Sequence, residues 1–153
     1  MAQQNIETNK REKLLESLSK LADEFLDNEW VTVCKRMGFD SAHFLPNYEG
    51  KCRRVHGHHW GVEIAVLGPI NKNTGMVIDF TILSNFLLQI KENLDHHLLN
   101  DVIENPTAEN IVLYVRDKLG EQSWGIDPKS VRWIKVWESE DSYAMWEDHA
   151  ILP

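Results

Sequence analysis

The sequence predicts a single α+β domain in which two β-hairpins flank a pair of helices, preceded by a helical N-terminal extension. Apolar side chains alternate from His56 to Leu67, as expected of a strand with one buried face. After Asp79 the apolar residues recur every three or four positions, which indicates a helix. We therefore divide the 153 residues into an extension, 1–29, and a domain, 30–153.

The N-terminal extension is predicted to form an amphipathic helix over residues 8–28. Leu14, Leu18, Leu21 and Phe25 fall on one stripe at helical spacing. The segment carries no residue pattern with an evident chemical role, so the functional site is expected in the domain that follows.

The first hairpin is predicted to pair a strand over 30–43 with a strand over 56–67, joined by a turn near 47–50. In the second strand, alternate residues from His56 onward project from one face, and this face becomes apolar beyond His58. A site built on these residues would therefore lie at the end of a sheet and not on a loop.

Two helices and a second hairpin complete the predicted domain. Asp79 is a favourable N-cap for the first helix. The second helix is expected to begin near Pro106-Thr107 and to end at Gly120. Strands over 131–138 and 143–149, with a turn between them, then form the second hairpin.

A histidine pattern in the first hairpin indicates a metal site. His56 and His58 are two residues apart, so both imidazoles project from the same face of a strand. His43 could arrive from the neighbouring strand as a third ligand, and three nitrogens with one open position are typical of catalytic zinc. Cys52 would place a thiol beside that open position. Spacing leaves two alternatives open, namely a closed structural zinc with Cys52 as fourth ligand and a His-rich segment that binds no metal.

Composition limits the remaining functions. The net charge of −8 disfavours a nucleic-acid partner, and no apolar run approaches the roughly 20 residues that cross a bilayer. Cys34 and Cys52 form no disulfide framework, so a cytoplasmic protein is expected, with Cys34 a buried strand residue. Basic residues flank the histidines and suggest an anionic ligand, although solvated loop charges explain them equally well. They are Lys35, Arg36, Lys51, Arg53 and Arg54.

Other polar residues have candidate roles with simpler alternatives. Asp95 could hold His96 in one tautomer for proton transfer, or cap the end of its helix. Glu138 ends an apolar strand, where a carboxylate could accept two hydrogen bonds from an amino group and a ring N–H, or be a hairpin charge. Thr107 could bind a ligand or cap its helix.

Six motifs occur together in an order that resembles the 6-pyruvoyl-tetrahydropterin synthase superfamily. They are Phe39-Asp40-Ser41-Ala42-His43, Cys52-x-x-x-His56-Gly57-His58, Gly75-Met76-Val77-Ile78-Asp79-Phe80, Leu94-Asp95-His96, Pro106-Thr107-Ala108-Glu109-Asn110 and Val136-Trp137-Glu138-Ser139. The resemblance runs from about residue 31 to residue 149 and leaves out the extension. The three residues between Cys52 and His56 make the chain most similar to the 6-carboxy-tetrahydropterin synthase branch, which acts in queuosine biosynthesis. His59-Trp60 departs from the family pattern, which often has a small residue before the aromatic one.

The resemblance implies a tunnelling fold, with an antiparallel four-stranded sheet, two helices on one face, and assembly into a homohexamer of two trimers. It implies that His43, His56 and His58 bind Zn²⁺. Cys52, Asp95, His96 and Glu138 would be catalytic, with Cys52 as the base and Asp95–His96 as the proton relay. Thr107, Glu109 and Glu138 would bind the pterin, the first two from a neighbouring subunit.

The activity implied by the resemblance is conversion of 7,8-dihydroneopterin triphosphate to 6-carboxy-5,6,7,8-tetrahydropterin, with release of acetaldehyde and triphosphate. The enzyme would be a lyase with a small-molecule substrate and neither nucleic acid nor membrane as partner. Two alternatives are a pyruvoyl-forming synthase and a non-catalytic module that binds zinc or a pterin.

Overall fold

The computed structural model describes residues 10–20, 29–121 and 123–148. Helix α1 comprises residues 10–20. The remaining strands and α-helices are, in chain order, β1 (Trp30–His43), β2 (His56–Pro69), α2 (Phe80–Leu94), α3 (Ala108–Glu121), β3 (Val131–Trp137) and β4 (Tyr143–Glu147). This order and the α+β class agree with the prediction. Short 3₁₀ helices precede β2, follow α2 and precede β3, at Lys51–Arg53, Leu99–Asp101 and Pro128–Ser130.

The four strands form one antiparallel sheet in the order β1-β2-β3-β4. The pairing of β1 with β2 is continuous from Trp30↔Pro69 to His43↔His56. β1 has the predicted bounds, and β2 is two residues longer at its end than predicted. β1 and β4 are the outer strands. At the outer edge of β1, the Ala42 N–H donates to the His97 carbonyl at 3.3 Å.

Both main helices cover the same face of the sheet, as predicted. The core joins residues of that face, such as Ile64 and Ile134, to helix residues such as Leu87 and Val115, all of them fully or almost fully buried. Asp79 caps α2 as expected, because its side chain accepts a hydrogen bond from the Thr81 N–H at 2.8 Å. The helices therefore fix one face of the sheet, and the histidine-bearing end of β2 continues that face.

Several sequence-based expectations were wrong in detail. Gly120 does not end α3, because the helix continues to Glu121 and the φ of Gly120 is not in the left-handed range. The last strand, predicted to end at His149, ends at Glu147. Leu14 and Leu18 of the predicted apolar stripe lie in α1 and are more than half exposed. Leu21, Phe25 and His149 lie outside the described residues. No helix in the described ranges is both long and apolar enough to cross a membrane.

Candidate metal and substrate site

The register of β1 and β2 brings three histidines together at one end of the sheet. His43 is paired with His56, and Ser41 is paired with His58, so all three imidazoles lie on the face that carries the core. One ring nitrogen of each histidine lies within 4.8 Å of the other two. The Nε2 atoms of His43 and His56 are 3.1 Å apart. The triad predicted from the sequence is therefore present as a convergent cluster.

Hydrogen bonds to backbone carbonyls orient two of these rings. The Nδ1 atom of His43 lies 2.8 Å from the Pro106 carbonyl, and the Nδ1 atom of His56 lies 2.8 Å from the Arg54 carbonyl. Since a carbonyl only accepts, each Nδ1 carries the proton and each Nε2 presents a lone pair to the cluster. Metal-binding histidines usually have this arrangement, in which the second nitrogen is held by a backbone carbonyl.

The third histidine has an unsatisfied ligand atom. The Nε2 of His58 is buried and has no hydrogen-bond partner, a state that is rare for a buried polar atom unless an ion completes it. Burial of His43 lowers the pKa of its imidazole, and the neighbouring His56 and His58 act in the same direction. The cluster therefore offers three imidazole nitrogens, the donor set that zinc commonly takes in catalytic sites. The residues fit the metal that the sequence implied.

Cys52 lies beside this cluster in sequence but does not join it. It is half-buried within the 3₁₀ turn Lys51–Arg53, which is held to the end of β1 by the Leu45 N–H at 2.8 Å from the Cys52 carbonyl. Among the described residues, the group of mutually close ligand atoms comprises the three histidines and excludes the Cys52 sulfur. This arrangement disfavours the closed four-ligand zinc and leaves the thiol available for another role.

Cys34 was expected to be buried, and that expectation was wrong. Cys34 is exposed, because β1 is an outer strand and Cys34 pairs with Ala65 on the face that none of the described helices covers. Arg36 also lies on that uncovered face, opposite Glu63, with its guanidinium 4.6 Å from the centroid of the Trp137 ring. Arg36 is therefore not part of a basic rim around the histidines.

Asp95 and His96 form the expected pair at the end of α2. The Asp95 Oδ2 is 3.0 Å from the His96 Nδ1, while Oδ1 accepts the Asp40 N–H at 2.8 Å. The hydrogen bond from the Asp40 N–H lowers the pKa of Asp95, and the hydrogen bond to His96 lowers it further. His96 lines a cavity of about 600 Å³ together with His58 and His59. The pair therefore faces a space that reaches the histidine cluster.

Asp40 supports this region in a way that was not predicted from the sequence. Its backbone N–H holds Asp95, its carbonyl accepts the His96 N–H at 2.7 Å, and its side chain lies 2.8 Å from the Nδ1 of His59. The register pairs Asp40 with His59, so a complete antiparallel alignment of the two strands would have revealed the contact.

Glu138 is the first residue beyond β3, and its side chain continues the core face of that strand. Its Oε1 lies 3.7 Å from the Nε2 of His43 and 3.8 Å from the Nε2 of His58. On the other side Glu138 lines a cavity of about 330 Å³ together with Thr107 and Glu109. Thr107 also caps α3, because its hydroxyl accepts the Asn110 N–H at 3.3 Å. The three residues expected to bind the pterin therefore line one cavity within a single chain.

The fold and the histidine cluster together define an α+β protein with a candidate metal site between two cavities, an arrangement suited to an enzyme acting on a small molecule. Residues 32–149 match the 6-pyruvoyl tetrahydropterin synthase family. The chain belongs to this family of enzymes.

Curated relatives support that assignment, and a solved structure shares the fold. A 6-carboxy-5,6,7,8-tetrahydropterin synthase of Synechocystis sp. is 41% identical over 99 residues, which is 60% of this chain and 76% of the relative. A dihydroneopterin monophosphate aldolase of Pyrococcus furiosus is 35% identical over 109 residues, which is 71% of this chain and 90% of the relative. The 6-pyruvoyl tetrahydropterin synthase of Caenorhabditis elegans shares the fold, with a TM-score of 0.70, 22% identity, and coverage of 78% of this chain and 96% of the other.

The hydrogen bonds of Asp95 predict how the Asp95→Asn substitution changes stability with pH. Because the folded-state pKa of Asp95 is lowered, the ionised carboxylate stabilises the fold above its ordinary pKa of about 4 and loses this contribution as the pH falls through the folded value. We expect Asp95→Asn to lower the melting temperature of the metal-free protein at pH 7 and to lower it less at pH 3. A difference that is constant or larger at pH 3 would contradict the assignment. Asp101→Asn, at an exposed carboxylate nearby, is the control.

Proposed function

We propose that this enzyme converts 7,8-dihydroneopterin triphosphate to 6-carboxy-5,6,7,8-tetrahydropterin with a bound zinc ion, as a step of queuosine biosynthesis in the cytoplasm. The observation that carries the proposal is the convergence of three imidazoles, two of them oriented by backbone carbonyls, beside a cavity lined by Thr107, Glu109 and Glu138. The 41% identity to a 6-carboxy-5,6,7,8-tetrahydropterin synthase favours this product over others. The catalytic unit on this proposal is residues 30–153, with residues 1–29 as an extension.

The roles of the side chains follow from their positions. A zinc ion held by His43, His56 and His58 would acidify the side-chain hydroxyls of the substrate and stabilise negative charge on them. Glu138 accepts the amino and ring N–H groups of the pterin and so fixes the orientation of the side chain that reacts. The Cys52 thiolate removes a proton from that side chain, and cleavage with uptake of water releases acetaldehyde and triphosphate.

The Asp95–His96 pair supplies the second proton-transfer group. Asp95 accepts from the His96 Nδ1, which leaves the Nε2 of His96 to exchange a proton with substrate. Because Asp95 is itself held by the Asp40 N–H, the orientation of His96 is set by β1, the strand that also carries His43. This shared support keeps the proton-transfer group in a defined position relative to the metal ligands.

Self-association would bring the catalytic groups together around one substrate. In a single chain His96 and Glu138 line different cavities, and Cys52 lines neither of them. Apart from the end of β1 along which residues 95–97 run, the outer strands β1 and β4 leave sheet edges for pairing with other copies, and closed symmetric assembly removes such edges. We therefore propose that active sites form between subunits of a homohexamer built from two trimers.

Two other reactions use the same kind of site. A pyruvoyl-forming synthase would eliminate triphosphate and leave the carbon chain intact. An aldolase acting on dihydroneopterin monophosphate, the activity named for the Pyrococcus furiosus relative, would cleave the side chain of a substrate with a single phosphate. A non-catalytic binding module is the fourth possibility, and its closed form with Cys52 as a zinc ligand is disfavoured because the Cys52 sulfur lies outside the group of close ligand atoms.

Incubation of the zinc-loaded enzyme with 7,8-dihydroneopterin triphosphate distinguishes these activities. We expect acetaldehyde, triphosphate and 6-carboxy-5,6,7,8-tetrahydropterin in equal amounts, measured by a coupled acetaldehyde assay and by mass spectrometry. A pyruvoyl product without acetaldehyde, or turnover of the monophosphate only, would assign the chain to one of the other reactions. The absence of turnover with both substrates would favour the binding module.

Zinc binding is predicted to depend on His56 and not on its neighbour His59. His56→Ala removes one of three ligands and should lose the metal and the activity together. His59 projects to the opposite face of β2, so His59→Ala should retain about one zinc per chain. Metal content by atomic emission on both purified variants tests this, and equal zinc in the two would refute the three-histidine site.

Cys52 is predicted to act in catalysis and not in metal binding. Cys52→Ala should keep its zinc and its melting temperature while turnover falls about 10²–10⁴-fold, the usual loss when a general base is removed. Cys34→Ala is the matched control, because Cys34 is exposed on the uncovered face of the sheet and should be nearly silent. Loss of zinc and of stability in Cys52→Ala would instead show a structural fourth ligand.

A further inference from the structure

We propose that Glu138 is also the fourth ligand of the metal while no pterin is bound, and that it leaves the metal when it binds the pterin. The inference rests on the proposed metal site and adds a second role to Glu138. On this proposal the fourth coordination position of the metal is occupied by Glu138 in the resting enzyme and becomes open only when substrate is present.

The spacing of the ligand atoms carries this inference. Around a tetrahedral zinc with bonds of about 2.0–2.2 Å, two ligand atoms are about 3.4 Å apart. The Glu138 Oε1 is 3.7 Å from the Nε2 of His43 and 3.8 Å from the Nε2 of His58, close to that separation. The carboxylate oxygen is therefore close to two of the three histidines. Glu138 does not belong to the group of ligand atoms that all lie within 4.8 Å of one another, which comprises the three histidines. A small rotation of this partly exposed side chain toward His56 would complete the tetrahedron.

The charges around Glu138 favour the same conclusion. Throughout the described ranges, no lysine or arginine lies within 4.0 Å of its carboxylate, and no hydrogen bond to the side chain is present. Its neighbours are the imidazoles of His43 and His58. A half-buried carboxylate without a lysine or arginine beside it lacks compensation for its charge. A divalent cation between these groups would provide it, and the unsatisfied Nε2 of His58 points to the same place.

The backbone keeps Glu138 within reach of both ligands. Its N–H donates to the Ser142 carbonyl at 3.0 Å, one position beyond the last β3–β4 pair, Trp137↔Tyr143. The Cα position is thus fixed by the hairpin, while the three side-chain torsions remain free to move the carboxylate. Because the carboxylate lies between the histidines and the cavity shared with Thr107, one rotamer change transfers it from metal to pterin.

The test compares Glu138→Gln, Glu138→Asp and the control Glu140→Gln, which removes an exposed carboxylate from the same hairpin turn. The variants are freed of metal, reconstituted with Co²⁺ without pterin, and examined by visible absorption, with zinc affinity measured by competition with a chelator. We expect both Glu138 variants to bind zinc at least about tenfold more weakly and to change the cobalt spectrum. Glu140→Gln should match the wild type in both measurements. Neopterin added to the wild type should shift its cobalt spectrum.

Glu138→Asp separates ligation from a general effect of charge. Aspartate keeps the negative charge, but its side chain is one methylene shorter. It therefore preserves the electrostatic attraction of the metal while its carboxylate no longer reaches the metal to coordinate it. The inference would be overturned if either Glu138 variant had the zinc affinity and cobalt spectrum of the wild type. It would also be overturned if Glu140→Gln lost as much zinc affinity as the Glu138 variants, or if neopterin left the cobalt spectrum of the wild type unchanged. A wild-type protein that binds no metal, or a His56→Ala variant that binds it normally, would instead overturn the proposed function. Melting temperatures of the metal-free variants identify any that fail to fold.

Discussion

The register of β1 on β2 is the constraint on which the site depends. Side chains in a strand alternate between faces, so a slip of one residue would move His56 and His58 to the side that no helix covers. The observed register pairs His43 with His56 over an uninterrupted ladder that begins at Trp30↔Pro69. The apolar residues beyond the histidines, Trp60 and Ile64 among them, are fully buried against the helices. Burial of these residues therefore fixes the geometry of the ligands.

The same ladder also positions the two residues for which we propose a role in proton transfer. Residues 95–97 run along the outer edge of β1, where Asp40 contributes both its N–H and its carbonyl to Asp95 and His96. His96 has a φ of 59°, a left-handed value that few non-glycine residues adopt and that the surrounding hydrogen bonds must maintain. The residue with the strained backbone thus belongs to the proposed proton relay. Hydrogen bonds to β1, the strand that also carries a proposed metal ligand, maintain its conformation.

The sequence predicted those features that follow from local periodicity. Alternation in β2 located the ligand face, and the three- and four-residue spacing after Asp79 located α2 and its cap. The helix end at Gly120 was wrong because a glycine ends a helix only when its backbone adopts a left-handed conformation, and here the helix simply continues.

Features that depend on tertiary position could not be predicted in the same way. Cys34 belongs to a β-prone segment, but its exposure is decided by which face the helices leave uncovered. Arg36 is near the histidines in sequence and lies on the other face, where it stacks on Trp137. The approach of Glu138 to His43 and His58 requires the pairing of β3 with β2, which no local pattern specifies.

Electrostatics would explain how a chain of net charge −8 could accept the polyanionic substrate that we propose. Neutral imidazole ligands do not reduce the charge of a divalent ion, so the proposed metal would be a strong local positive charge in an acidic protein. If Glu138 binds the ion in the resting state, it lowers that charge by one and shields the ion from other anions. When the carboxylate moves to the pterin, the full positive charge is exposed next to the substrate oxygens. Recognition of the pterin ring and activation of the side chain of the substrate would then be coupled through one residue, Glu138. An anion that lacks a pterin would gain little access to the metal.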